Sequence, residues 1–167
     1  PGLDDKIIAS WNALMISAYA RGFQLFEEKK YLQAAENAAA FIMNEMRTQE
    51  GRLLRTHRKG KSKFLAYLED YSYTIQAFID LYEAGFDEQW LQAASVLTEE
   101  MIEQFWDAQN AGFFNTSSQH KNLIARTKTL NDQAIPSPNA VATMSLLRLS
   151  KLLDDDGYYK KAQKTLR

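Results

Sequence analysis

The chain has 167 residues, no cysteine, and 20 basic against 21 acidic side chains, which gives a formal net charge of −1. Its length fits one domain of ordinary size, and the lack of cysteine excludes disulfides, thiol catalysis and cysteine-ligated metal within this stretch. The balanced charge gives no field to attract nucleic acid or anionic lipid, and no apolar window reaches the roughly 20 residues that cross a bilayer. With no secretory leader in the sequence, we expect a cytoplasmic protein without nucleic-acid or membrane partners.

The first predicted unit is a pair of helices over residues 7–46. Residues 7–26 carry a single charge, Arg21, which predicts an inner helix that its neighbours enclose. Asp4 and Asp5 stand just before it, as an expected cap and first-turn pair. Residues 27–46 carry six charges and one apolar stripe, so the second helix is amphipathic and is expected outside.

A change of pattern separates this pair from the next. Between residues 51 and 66 the apolar pairs Leu53–Leu54 and Phe64–Leu65 flank a polar turn at 58–61, which predicts two short strands in a hairpin. Residues 71–82 then carry one charge, Asp80, and again predict an enclosed inner helix. After a short connection at Gly85, residues 87–106 predict an outer helix. Its apolar stripe consists of Trp90, Ala94, Leu97, Met101 and Phe105.

The third unit follows the same plan. From Gly112 we expect a second strand-turn-strand element, with a polar turn at 117–122. Its apolar residues are Phe113 and Phe114 on the way out and Leu123 and Ile124 on the way back. Ser137 followed by Pro138 is typical of a helix start. Residues 140–149, with one charge, predict the third inner helix, and the third outer helix is expected from residue 158 onward.

The helical pattern continues to the last residues without a stop signal, and the first residue is Pro1. We therefore expect a piece of a longer chain.

An internal repeat supports this division into units. The run beginning Tyr31-Leu32-Gln33-Ala34 returns at Trp90 and, more faintly, at Tyr159, and the segment 51–56 resembles 112–116. The lone charges of the inner helices precede these aromatic residues by ten or eleven positions; they are Arg21, Asp80 and Arg148. One hairpin cannot bury its inner helix alone, so neighbouring hairpins must close around it. The sequence predicts an all-α fold, a partial α/α toroid of about three helical hairpins, in a single domain over residues 1–167.

Candidate site residues gather at one end of such a toroid. Its inner helices run in the same direction, so the long loops before them meet at one mouth. Carboxylates, aromatic platforms, amides and guanidinium groups together are typical of sugar recognition. The candidate acids and bases are Glu69, Asp70 and Asp132. The candidate substrate contacts are Asp4, Asp5, Trp11, Asn12, Tyr71, Tyr73, Arg126 and Asn139.

Each candidate also has a purely structural explanation. Adjacent carboxylates such as Glu69 and Asp70 cap helices, aromatic residues fill cores, and Asp132 and Asn139 are placed to hold the loop before Ser137. His57 and His120 each stand in a turn region without a partner at ligand spacing, so no metal site and no cofactor is predicted. The basic residues between 52 and 63 either grip a phosphorylated substrate or form a solvated hairpin.

Three sequence blocks together resemble a known family. The blocks are Asp4-Asp5-Lys6-Ile7 with Ser10-Trp11-Asn12-Ala13-Leu14-Met15, then Leu68-Glu69-Asp70-Tyr71, and finally Ser137-Pro138-Asn139. They are similar to the α/α-barrel portion of the spermatogenesis-associated, thioredoxin-domain-containing proteins. The resemblance implies an (α/α)6 barrel like those of N-acylglucosamine 2-epimerases and six-hairpin glycosidases. It also implies a thioredoxin-like domain elsewhere in the parent chain.

Two functions follow from these observations as hypotheses. The first is a carbohydrate-binding or carbohydrate-modifying domain, epimerase-like or glycosidase-like, with a small carbohydrate as its ligand. The second is a non-catalytic helical scaffold that binds a protein, such as the thioredoxin-like domain of its own parent chain. A weaker third expectation is self-association, because the end hairpins of an open toroid expose apolar faces.

Overall fold

The computed structural model describes residues 4–120 and 124–166, and within them the chain forms three successive helical hairpins and one small sheet. The helices are α1 (Ala9–Phe26), α2 (Lys29–Glu45), α3 (Leu68–Gly85), α4 (Glu88–Phe105), α5 (Pro138–Leu152) and α6 (Asp156–Thr165). The strands are β1 (Ile7–Ile8), β2 (Leu54–Arg58) and β3 (Lys61–Leu65). None of the helices in these ranges is long and apolar enough to cross a lipid bilayer.

Helix α3 lies at the centre of the core, packed against α1, α4 and α5. Twelve of its 18 residues are buried, which confirms the enclosed helix predicted for residues 71–82. The predicted apolar stripe of α4 is also buried throughout, from Trp90 to Phe105. Full burial of an aromatic or aliphatic side chain contributes about 1.5–3 kcal/mol. Inner helices α1, α3 and α5 lie side by side in one layer. The outer helices α2, α4 and α6 form the other layer, each packed against the inner helix of its own hairpin.

Helix α1 corrects the prediction that residues 7–26 are enclosed. Ile7 and Ile8 are extended and pair with β2, opposite His57 and Thr56, so the helix begins only at Ala9. One side of α1 packs against its neighbours. Its opposite side, which we call the α1 apolar face, is exposed and consists of Trp11, Met15, Ala18 and Leu25. The reason is position: α1 ends the arc of described inner helices, and α3 covers it on one side only.

The predicted strand hairpin before α3 is confirmed. Strand β2 pairs antiparallel with β3, with Leu54 opposite Leu65 and Arg58 opposite Lys61. The two residues between the strands, Lys59 and Gly60, have φ angles of 50° and 72°. Positive φ at both positions is the geometry of a type I′ turn, whose twist suits a tight hairpin. Strand β1 completes a three-stranded sheet in the order β1-β2-β3.

The second predicted strand hairpin, after Gly112, is wrong for the described residues. Phe113 makes an isolated bridge with Trp106, and no strand occurs in the described parts of the segment 114–136. One side-chain bond and one backbone bond take the place of a ladder. The Asn115 side-chain Oδ1 accepts the Thr129 N–H at 3.0 Å, and the Asn115 backbone N–H donates to the Thr127 carbonyl at 2.7 Å. Leu123, part of the predicted return strand, lies outside the described residues.

The repeat is present in the structure, with one correction. Each inner helix is followed, within two residues of its end, by a non-glycine residue with positive φ: Glu27 at 55°, Phe86 at 56° and Asp154 at 53°. Four positions later stands an aromatic residue that packs inward. In the third unit this residue is Tyr158, which is 4% exposed, and not Tyr159, which is 43% exposed. The aromatic residues are therefore Tyr31, Trp90 and Tyr158, each ten positions after the lone charge of its inner helix.

Two of these lone charges are paired across the inner layer. Arg148 on α5 contacts Asp80 on α3 at 2.6 Å and Glu83 at 2.9 Å. The repeat-equivalent positions therefore lie side by side on neighbouring inner helices, close to the ends opposite the long loops.

Candidate active site

A pocket of about 380 Å³ opens where the long loops meet the first turns of α3 and α5. Its lining residues are Arg55, Tyr67, Leu68, Glu69, Asn115, Thr116, Thr129, Asn131, Gln133, Ile135, Pro136 and Pro138. Strand β2 contributes Arg55, the start of α3 contributes residues 67–69, and the loop before α5 contributes most of the rest. The pocket therefore lies at the mouth that the direction of the inner helices predicts.

The charged part of the pocket is an ion-pair cluster around Arg55. Its Nη1 contacts Glu69 Oε1 at 2.7 Å and Asp70 Oδ2 at 2.9 Å. The guanidinium lies over the ring of Tyr67, with Cζ 4.8 Å from the ring centroid, and this ring also stacks with His120 at 5.1 Å. Such cation–π contacts favour a fixed guanidinium orientation. The carboxylate of Glu69 is thus held at the edge of the pocket and stays partly exposed.

Asp70 is fully buried and its carboxylate is occupied by the protein itself. It accepts the backbone N–H of Ser10 at 3.2 Å and that of Tyr67 at 3.0 Å, in addition to the Arg55 contact. Burial raises the pKa of Asp70, while Arg55 and the Tyr67 N–H act in the opposite direction. Because these bonds join the first turns of α1 and α3, the geometry gives Asp70 a positioning role for its neighbour Glu69.

Tyr71 and Tyr73 are both buried, which corrects their prediction as stacking platforms. The Tyr71 ring packs against Phe105 in the core, and burial raises its pKa to about 12. Tyr73 donates its hydroxyl to the Pro136 carbonyl in the pocket wall at 2.5 Å. Burial, with the negative charges of Glu69 and Asp132, raises the pKa of Tyr73 to about 12. Among the described residues that line the pocket, the aromatic one is Tyr67, which is 38% exposed.

Asp132 and Asn139 hold the loop that forms the pocket wall. Asp132 Oδ1 accepts the backbone N–H of Ser137 at 2.7 Å, directly before α5. Asn139 is buried; its Oδ1 accepts the Phe113 N–H at 2.7 Å and its Nδ2 donates to the Phe113 carbonyl at 2.9 Å. The side-chain amide of Asn139 thus bonds both backbone groups of Phe113, as a neighbouring strand would. These groups of Asn139 are therefore already engaged within the fold. Asp132 is exposed at the surface beside the pocket.

Arg126 also stabilises this loop. Its guanidinium donates to the carbonyl oxygens of Thr116 at 2.6 Å and Gln104 at 2.8 Å. The Cζ atom lies 4.2 Å from the centroid of the Phe114 ring. These bonds connect the loop to the end of α4, and Arg126 is not part of the pocket lining.

The candidates from the first unit lie away from the pocket. Asp5 pairs with Arg58 and Asp4 with Lys6 at 3.3 Å. The prediction that they cap α1 is wrong, because the chain between them and Ala9 is occupied by strand β1 and the helix starts after Ile8 without a side-chain cap.

Trp11 and Asn12 belong to the first turns of α1 and do not line the pocket either. Trp11 is 66% exposed on the α1 apolar face. Asn12 donates its side-chain N–H to the Ile8 carbonyl at 2.9 Å, which ties the helix start to strand β1.

Sequence reasoning missed most of the polar lining. Asn131 and Gln133 present side-chain amides that make no hydrogen bond within the described part of the chain, and the buried Thr116 Oγ1 is likewise without a partner there. The signal for Arg55 was its place inside a strand that leads to Glu69, but it was hidden among neighbouring basic residues. No cluster of metal-ligating side chains occurs in residues 4–120 and 124–166.

The fold is that of the α/α toroid enzymes with six-hairpin glycosidase-like barrels. The chain superposes on cellobiose 2-epimerase from Bacillus thermoamylovorans with a TM-score of 0.74, 14% identity, and coverage of 98% of this chain and 44% of that one. For a family 105 glycoside hydrolase from C. acetobutylicum the TM-score is 0.78, with 10% identity and coverage of 97% and 48%. At these identities the likeness shows the fold alone.

Sequence comparison gives the relatives. The chain is 35% identical over 159 residues to spermatogenesis-associated protein 20 of Homo sapiens and 34% identical over 157 residues to that of Mus musculus. These matches cover 89% and 88% of this chain, which spans only about a fifth (20%) of either relative. No protein-family model matches the chain. The resemblance to the spermatogenesis-associated family is thereby confirmed, for one part of those longer proteins.

Proposed function

We propose that this chain forms the carbohydrate-recognising half of an α/α barrel, with epimerase-like or glycosidase-like chemistry. One observation carries the proposal: the Glu69 carboxylate lies at the edge of a pocket that also holds an aromatic ring and two side-chain amides, which make no hydrogen bond to the described residues. Aromatic faces stack on sugar rings, and amides and carboxylates bind vicinal hydroxyls. The epimerase and hydrolase names of the structural neighbours support the same ligand class by analogy of fold.

Glu69 is the residue that we assign to proton transfer. It is partly exposed, and Arg55 fixes its orientation at 2.7 Å. Asp132, in the loop that forms the pocket wall, is the second carboxylate at this mouth and the candidate for the complementary acid or base. Tyr67, which is 38% exposed, supplies the aromatic contact in place of its neighbours Tyr71 and Tyr73, beside the Arg55 and His120 groups that lie against its ring. Asp70 positions the cluster.

Calorimetric titration with neutral mono- and disaccharides tests the proposal. Tyr67→Ala is expected to weaken sugar binding about fivefold, since an aromatic contact of this kind contributes on the order of 1 kcal/mol. Tyr159→Ala is the matched control, because that tyrosine is similarly exposed but lies on α6. Glu69→Gln is expected to remove turnover of any bound sugar. Absence of binding across a broad panel would refute the proposal.

A second function, a protein-binding scaffold, is favoured by the α1 apolar face. Single exposed apolar residues are common, but here they follow one helix side over successive turns. The partner that the family resemblance implies is a thioredoxin-like domain. In a pull-down with such a domain as bait, Trp11→Glu is expected to abolish retention while Glu69→Gln preserves it. The reverse pattern would assign the interaction to the pocket instead.

A further inference from the structure

The charges that line the pocket do not add up to an anion site. Among the lining residues in the described part of the chain, only Arg55 and Glu69 are charged, and Arg55 also contacts the buried Asp70. One cation, Arg55, therefore contacts two carboxylates, Glu69 and Asp70. The formal charge of these three groups is −1, or zero when Asp70 is protonated. Arg55 has no positive charge left for a ligand.

Three other cations of the strand and loops that form the pocket, all in the described part of the chain, are held by the protein. Lys128 contacts Asp107 at 2.7 Å and donates to the Ala111 carbonyl. Arg126 is held by the carbonyl oxygens of its own loop and of α4, and Arg58 by Asp5. Of the basic segment 52–63, only Arg55 is among the described residues that line this pocket, which favours a solvated hairpin over a phosphate grip for the rest of the segment.

The remaining lining is neutral and rich in hydrogen-bonding groups. Asn131 and Gln133 supply amides, and the buried hydroxyl of Thr116 has no partner within the described residues. Leu68 and Ile135 supply apolar surface beside them. Neutral donors and acceptors next to an apolar wall are complementary to a polyhydroxylated ring, whose hydroxyls alternate with C–H faces.

On the basis of the proposed function, we infer that this pocket selects uncharged sugars over phosphorylated or carboxylated ones, and that Glu69 enforces this selection. An anionic sugar would have to displace Glu69 from Arg55 and would approach the remaining negative charge. A neutral sugar meets neither obstacle. In the partly buried pocket such a charge effect is only weakly screened by water.

The test is a calorimetric comparison of matched ligands at low ionic strength: D-glucose and cellobiose against D-glucose 6-phosphate and D-glucuronate. We expect the wild-type chain to bind the neutral sugars at least about tenfold more tightly than the anions, a ratio that decreases as salt is added. Glu69→Gln removes one of the two carboxylates that contact Arg55 and is expected to raise the affinity for both anions several-fold. Glu103→Gln, at an exposed position of α4, is the control and should leave the ratio unchanged.

The outcomes separate the inference from the function on which it rests. If the wild-type chain binds the anions as tightly as the neutral sugars, charge selection is overturned and sugar binding still stands. If Glu69→Gln folds normally and leaves the ratio unchanged, the role of Glu69 is overturned. If no sugar binds, charged or neutral, both the proposed function and this inference fail. The wild-type ratio decides the matter even if the Glu69 variant does not fold.

Discussion

The carboxylate of Asp70 on α3 accepts the backbone N–H of Ser10 on α1 at 3.2 Å, so one side chain serves the first turns of two neighbouring inner helices. It also accepts the Tyr67 N–H, which starts α3. The first N–H groups of a helix have no partner inside that helix, and a buried one without a partner is costly. The same carboxylate therefore fixes the start of α1 relative to the start of α3, and it also holds Arg55 beside Glu69.

Asp70→Asn is expected to lower the free energy of unfolding by about 3 kcal/mol, because it leaves the Arg55 charge and a backbone donor imperfectly paired in a buried site. Urea denaturation measures the change. Asp4→Asn, at an exposed carboxylate, is the control and should alter stability by less than about 0.5 kcal/mol. Equal stability of the wild type and Asp70→Asn would contradict the positioning role and would return Asp70 to the candidate acids and bases.

Three tyrosines are expected to ionise late in an alkaline titration. Burial raises the pKa of Tyr71, Tyr73 and Tyr158 to about 12 each. The unfolded chain releases these protons near the ordinary value of about 10, so between these pH values the folded state binds more protons than the unfolded state. Stability therefore falls as pH rises from 10 toward 12.

Phenolate absorbance and unfolding curves at several alkaline pH values measure this effect. Tyr71→Phe should remove one late-titrating group while leaving the other two in place. A titration in which all eight tyrosines ionise together in the folded protein would contradict the prediction.

Glu27→Gly is expected to stabilise the chain by about 0.5–1 kcal/mol. Glu27 ends α1 with a φ of 55°, a left-handed conformation that is strained for residues with a Cβ atom and that glycine adopts freely. Urea denaturation again measures the change. The neighbouring Glu28, with a φ of −87°, is the matched control, and Glu28→Gly should give no gain. A loss of stability in Glu27→Gly would show that its side chain contributes more than the backbone strain costs.

The chain is expected to self-associate through its two end faces. The α1 apolar face is exposed at one end of the arc, and Met144 on α5 is 58% exposed at the other. If the α1 apolar face of one copy packed against the exposed side of α5 on another copy, both apolar surfaces would be removed from water. Light scattering should show a mass that increases with concentration and that Trp11→Glu reduces to the monomer. Val96→Glu, on the outer helix α4, is the control and should leave the mass unchanged. A wild-type chain that stays monomeric at high concentration would contradict self-association.

The order of enclosed and amphipathic helices could be predicted from the sequence because burial on a helix is a local, periodic property. Residues 71–82 and the Trp90 to Phe105 stripe illustrate this, as does the hairpin before α3. The same local reasoning placed the third aromatic one position too late, since Tyr158 and Tyr159 are alike in type and only packing distinguishes them. It also treated α1 as enclosed, although enclosure depends on which helices lie beside it.

The sequence by itself determined the units, their repeat and the end of the toroid at which polar residues collect. Only the tertiary structure decided which of those residues share a pocket. Glu69 and Asp70 are adjacent in the chain, yet one is partly exposed beside Arg55 and the other is fully buried against Ser10. Neighbours on a helix point about 100° apart, so their environments are set by whatever packs on each side, and residues distant in the chain supply that packing.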